Sequence, residues 1–152
     1  MSDAPLKGKV AVITGASRGL GRAMALSIGQ AGAQIACVGR DEAKLQETQS
    51  LLEEAGVSSS VFHCDVRDEE QVTLLERDVS KTFGPVHILV NNAGTAIRKN
   101  LIEFSMDEWN TVVDTNLTGV FLCSRAFVPH MKQHGWGRVI NITSIMANVG
   151  SA

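Results

Sequence analysis

The residues best suited to chemistry lie near the start of the chain. A compact apolar run, Lys9-Val-Ala-Val-Ile-Thr14, leads straight into Gly15-Ala16-Ser17-Arg18-Gly19-Leu20-Gly21. The glycine spacing is G-x-x-x-G-x-G. Gly15 permits a sharp turn off a strand, Gly19 lets backbone approach a ligand with no Cβ in the way, and Gly21 lets a helix pack closely on the strand. A helix beginning here presents free N–H groups and a partial positive charge. That arrangement suits a diphosphate gripped by peptide nitrogens. Three glycines alone could serve a structural turn, but their place between a strand and a helix in the first βαβ unit favours the phosphate reading. Four further segments carry polar side chains in similar positions: Cys64-Asp65-Val66, Asn91-Asn92-Ala93-Gly94, Asn116 within Asp114-Thr-Asn-Leu-Thr-Gly119, and Asn141-Ile-Thr-Ser144.

The elements that must position these residues follow from periodicity. Short β-branched runs at 9–14, 34–38, 60–64, 86–91 and 138–143 read as strands, and they alternate with longer amphipathic runs. The helices are expected at 19–31, 41–55, from Asp68 to the Gly84-Pro85 break, and from Ser105 to about His134, the last with Pro129 near its end. Leu45, Leu51 and Leu52 are the main apolar positions of the second helix. Asp68 with Gln71, and Ser105 with Glu108, have capping-box spacing. The strands are continuously apolar, which implies burial on both faces. The expected fold is α/β: a Rossmann-like, doubly wound parallel sheet of strand order 3-2-1-4-5, ending after the fifth strand. Residues 1–152 form one such domain. Its fifth strand would leave Val139, Ile140 and Ile142 on an unpaired edge. The loop 95–104 is the one connection long enough to point to function.

Composition sets the outer limits. The chain has 152 residues, 44% hydrophobic and 20% charged, with a formal net charge of −2. That balance is globular, and the interspersed charges give no footprint for nucleic acid or a membrane surface. No apolar stretch is long enough to span a bilayer, and Met1 to Pro5 carry no secretory signal. Cys37, Cys64 and Cys123 are scattered, which fits reduced thiols and a cytoplasmic location. Cys37 and Cys64 read as small buried hydrophobes, and Trp109 and Phe121 as packing residues. His130 and His134 stand one helical turn apart, but no third ligand or H-E-x-x-H accompanies them. They read as solvated helix-end histidines, His63 and His87 read as strand residues, and no metal is expected. Asp68, Glu69 and Glu70 read as favourable charges in a helix's first turn.

In order and spacing, residues 14–21 and the segments around Asp65, Asn91, Asn116 and Ser144 resemble the motifs of the classical short-chain dehydrogenase/reductase family, N-terminal part only. The resemblance implies that Gly15, Ser17, Arg18, Gly19, Leu20 and Gly21 hold a pyrophosphate. It implies that Asp65 bonds adenine with the Val66 backbone beside it, and that Asn91, Asn92, Ala93 and Gly94 wall the cofactor site and brace the central strand. Asn116 would position a water in a proton relay, and Ser144 would bond the substrate carbonyl or hydroxyl. In the complete enzyme the implied reaction is hydride transfer between NADP(H) and a small carbonyl or alcohol substrate. Homo-oligomers are implied too, since long helices in this family form such interfaces.

Coenzyme preference turns on Val38-Gly39-Arg40-Asp41. A carboxylate at the end of the second strand would accept from a ribose 2′-OH and repel a 2′-phosphate. Gly39 stands where NAD-preferring members carry that acid. Arg40 and Arg18 offer two guanidinium groups to a 2′-phosphate, so NADP is favoured and NAD stays open. The other reading of this stretch is a solvated Arg40 and an Asp41 that caps the next helix.

The family's proton donor is a tyrosine lying beyond the serine and followed by a lysine. The sequence contains no tyrosine and ends at Ala152. A positioned acid contributes roughly 10²–10⁴-fold, so these residues alone are expected to be inactive. The alternative is a non-catalytic nucleotide-binding or oligomerisation module.

Overall fold

In the computed structural model, which describes residues 4–145, every position of the first strand is buried (β1, Val10–Thr14). The reason is packing on both sides. Val10 and Val12 face one apolar cluster, and Ala11 and Ile13 face another. The alternation of side chains across a strand makes this possible only where both faces are covered.

The chain continues through α1 (Gly19–Gln30), β2 (Gln34–Gly39), α2 (Glu42–Glu54), β3 (Ser59–His63), α3 (Glu69–Phe83) and β4 (Ile88–Asn91). A short 3-10 turn, Leu101–Glu103, leads to α4 (Met106–Val113), a π-helical segment (Asp114–Thr118), α5 (Gly119–Gln133) and β5 (Arg138–Asn141). All strand pairs are parallel, in the order β3-β2-β1-β4-β5. One face of the sheet packs on Ala25 of α1 and Leu45 and Leu52 of α2. The other packs on Val72, Leu75 and Val79 of α3 and on Leu122, Phe127 and Met131 of α5. The order reverses between β1 and β4, so the crevice at their carboxyl ends is where an open α/β sheet binds its ligand.

The structure departs from the sequence reading in several places. The helix expected from Ser105 to about His134 is interrupted by the π-helical turn, whose extra residue cannot be read from a 3.6-residue period. That turn lets Gly119 pack against Val66, where a Cβ would stand 2.7 Å from Val66 Cγ2. Ser105 and Glu108 form the full capping box. Asp68 caps α3 through the Glu70 and Gln71 amides, but the Gln71 carboxamide oxygen accepts the Asp65 N–H (2.9 Å) instead of the Asp68 N–H.

Trp109 and Phe121 are about half exposed rather than packed, and Leu51 is exposed as well, because each lies on the outer side of its helix. His130 is not solvated: it is largely buried, with Nε2 2.6 Å from Glu76 Oε1. The loop 95–104 is tied to the helices after it, through Lys99 on Glu108 and Thr95 on Asn116.

Strand β5 is exposed at all four positions, with Val139 and Ile140 on its open edge. Cys37, Cys64 and Cys123 are buried free thiols, each pushed up to about 12 by burial. That suppresses the reactive thiolate. Among the described residues no helix is long and apolar enough to cross a membrane. The stretches 1–3 and 146–152, the first of which holds most of the N-terminal segment read for a signal, lie outside the described residues.

Candidate functional site

The glycine loop is built from both sides of the sheet's reversal point. Thr14, buried at the end of β1, donates its hydroxyl to Val90 O and accepts the Asn92 and Ala93 amides, both at 3.0 Å. The Asn92 carboxamide donates to Thr14 O (3.0 Å) and Gly15 O (3.2 Å). The loop after β1 and the segment after β4 are thereby laced together. Gly15 turns with φ +68°, a conformation L side chains rarely adopt. At Gly21 a Cβ would sit 2.1 Å from Gly15 O, so only glycine lets α1 approach its own loop. Gly19 differs, since a Cβ there would meet nothing, and its backbone borders open space.

The start of α1 carries no closure of its own. Arg18 stands at the N-cap without a side-chain cap bond, and the first turn holds no acid. By contrast α2, α3 and α4 are capped by Asp41, Asp68 and Ser105 and have acids in their first turns. The first N–H groups of α1 have no intrahelical partner, so this end suits an anion.

In front of it lies a cavity of about 480 Å³. Of the residues singled out from sequence, Gly15, Ser17, Arg18, Gly19, Leu20, Gly21, Arg40, Asp65, Val66, Asn92, Ala93 and Gly94 all line it. Asn91 does not. It is buried, and its carboxamide donates to Ser124 Oγ (3.2 Å) and Asn141 Oδ1 (2.9 Å), bracing β4 against α5 and β5. Asn116 lies beside the cavity on the π-helical turn. Its Oδ1 accepts the Thr95 N–H and its Nδ2 donates to Thr95 O, both at 2.8 Å, and a Cβ on Gly94 would stand 3.4 Å from that Oδ1. Ser144 follows β5 and is exposed.

Gly39, Asp41, Lys44, Cys64 and Thr115 also line the cavity and were not read as site residues. Lys44 stands one turn into α2, a spacing that could have marked it. Thr115 is brought in by the π-helical turn, for which the sequence has no signal.

Charge is divided across the cavity. The carboxylate of Asp65 is held by three bonds from the Arg67 guanidinium, the shortest at 2.6 Å, with Arg40 Nη1 at 3.8 Å. The Arg67 guanidinium keeps Asp65 below the usual carboxylate range. No carboxylate stands at Gly39. Asp41, two residues on, turns back to cap α2 at the Lys44 amide (3.1 Å) and pairs with Lys44 Nζ (3.0 Å). Among the described residues no group of three or more His, Cys, Asp or Glu could hold a metal.

Comparison with known proteins finds close relatives. A family model described as short chain dehydrogenase matches residues 9–152. Gluconate 5-dehydrogenase of Gluconobacter oxydans is 35% identical over 95% of this chain and 56% of the relative. The 3-oxoacyl-[acyl-carrier-protein] reductase FabG of Pseudomonas aeruginosa is 36% identical over 97% of the chain and 60% of the relative. Among solved structures, a metagenomic short-chain oxidoreductase in complex with NADP matches with a TM-score of 0.89 and 34% identity, covering 93% of this chain and 64% of that one. A variant actinorhodin polyketide ketoreductase with NADPH matches with a TM-score of 0.92 and 36% identity, covering 95% and 56%. The chain thus spans under two thirds of the length of these relatives.

Proposed function

This chain belongs to the short-chain dehydrogenase family, and from that premise we propose that its cavity binds NADP in preference to NAD. The observation that carries the reading is the uncapped, acid-free start of α1 facing a cavity of about 480 Å³. The residues present fit a dinucleotide. The open side of Gly19 and the free amides of the first turn would take the pyrophosphate, as in other glycine loops at helix N-termini. Asp65 and the Val66 backbone would receive the adenine. Arg18 and Arg40 would pair with a 2′-phosphate, while Lys44 Nζ, 3.0 Å from the Asp41 carboxylate at the cavity wall, offsets the charge that would repel one. Relatives crystallised with NADP and NADPH support that choice.

When bound, the coenzyme supplies or accepts a hydride. In the whole protein the proposed reaction interconverts a small carbonyl compound and its alcohol. The part of Ser144 would be to donate its hydroxyl to the substrate oxygen. The part of Asn116 would be to hold the backbone of Thr95 and so shape the path of a relayed proton. The 152 residues contain no tyrosine, so a polypeptide of these residues alone binds coenzyme without turning over substrate. Exposed Met106, Trp109, Leu117 and Phe121, along α4, the π-helical turn and α5, support a homo-oligomer.

The test is a titration of the folded protein with NADP and NAD separately. Tighter NADP binding is expected. Tighter NAD binding overturns the preference, and binding of neither overturns the function.

A further inference from the structure

A buried polar contact joins α2 to the underside of the glycine loop. Thr48 is fully buried on α2, and its hydroxyl, with one proton to donate, faces both Ala16 O at 3.0 Å and Lys44 O of its own helix at 3.1 Å. Arg22, on the first turns of α1, donates from Nε to the Thr48 hydroxyl oxygen (2.9 Å) and from Nη2 to Ser17 O (2.7 Å). The same Nη2 reaches Glu47 Oε2 at 2.9 Å. Two successive loop carbonyls are thus held toward α2 by side chains that do not line the cavity.

A peptide unit is planar and trans, so its C=O and N–H point in opposite directions. Drawing the Ala16 and Ser17 carbonyls toward α2 turns the Ser17 and Arg18 amides away from it. Both of those residues line the cavity. The contact also spans elements far apart in sequence, so neither α1 nor α2 could set the loop by itself.

We infer that Thr48 and Arg22 are positioning residues for phosphate recognition, and that they act by fixing the orientation of the Ala16 and Ser17 peptide units. This inference rests on the dinucleotide reading given above. It adds that the amide cradle is not self-supporting: its geometry is set jointly by Arg22 of α1 and Thr48 of α2, the helix that Asp41 caps at the other end of the cavity.

The test compares a phosphate-bearing probe with a phosphate-free one, in the full polypeptide that carries these residues. Dissociation constants are measured for NADP and, by competition, for adenosine. Thr48→Val keeps the volume and removes the hydroxyl. It is expected to weaken NADP about tenfold, the effect of one lost hydrogen bond, while adenosine changes less than twofold. Thr48→Ser restores the NADP constant. Arg22→Gln gives the same selective loss and carries the test alone if Thr48→Val does not fold. Equal losses for both probes, or no loss for NADP in either variant, overturn the inference. Failure of the unaltered protein to bind NADP or NAD instead overturns the functional reading beneath it.

Discussion

Helices α1 and α4 begin in opposite ways. At α4, Ser105 and Glu108 satisfy each other's backbone amides, Asp107 and Glu108 sit in the first turn, and Lys99 closes over Glu108 at 2.8 Å. At α1 there is an arginine that caps nothing, no acid, and glycines on both sides of Leu20, the second residue of the helix. The same backbone problem, a set of N–H groups with no intrahelical partner, is solved internally at α4 and left open at α1. The difference shows where the fold forgoes local stability. An end that completes its own hydrogen bonds has nothing left for a ligand, and an end that does not can receive one.

Exchanging features between the two ends gives the sharpest tests. The largest effect is expected from Gly21→Val. Its Cβ would lie 2.1 Å from Gly15 O, a backbone atom that cannot yield without opening the loop. NADP binding should fall below detection by calorimetry, and overpacking should cost about 1–3 kcal/mol in denaturant unfolding. Retained affinity would show that the close approach of α1 to its loop is irrelevant to the ligand.

Next comes Leu20→Asp, which gives α1 the first-turn acid that α4 has. Leu20 is exposed, so the fold should hold or gain slightly through the helix dipole. NADP should bind at least tenfold more weakly, with the deficit shrinking as salt is raised. An unchanged constant would place the phosphates elsewhere.

Ser105→Ala removes the closure at α4. A loss of about 1 kcal/mol is expected in chemical denaturation, with the NADP constant unaltered. A parallel drop in affinity would mean that the two ends are coupled.

The smallest effect is a pH dependence. Bonds from Lys99 and the Ser105 amide bring Glu108 down to about 2 from 4.5. A carboxyl depressed in the fold contributes stability above its unfolded value and loses it as pH falls toward the folded one. Between about pH 4.5 and pH 2 the unaltered protein should therefore lose slightly more Tm than Glu108→Gln. Parallel Tm profiles would show that this exposed pair contributes nothing.

Legibility in the sequence followed the range of the interactions involved. The five strands, the parallel order and the glycine loop were readable because each leaves a local run: apolar or β-branched residues, buried on both faces in β1, β2 and β4 but not in the edge strands β3 and β5, or glycines where a turn and a close approach exclude Cβ. Twelve of the residues read as cofactor-binding do line one cavity. Asn91, read with them as both wall and brace, lies off that cavity and bonds Ser124 and Asn141, because an asparagine at a strand end has the same local signature whether it faces a ligand or its neighbours in the fold. His130 looked like a surface histidine on its own helix. Its burial depends on Glu76, which is supplied by α3.

By itself the sequence determined where backbone could bend and where apolar faces had to be covered, since those constraints act within a few residues along the chain. Only the tertiary structure decided which free groups meet. It brought Thr48 under the glycine loop, Arg67 onto Asp65, and Asn116 onto Thr95 through a π-helical turn. Those pairings join elements whose separation is set by packing across the sheet, and no periodicity along the chain encodes that distance.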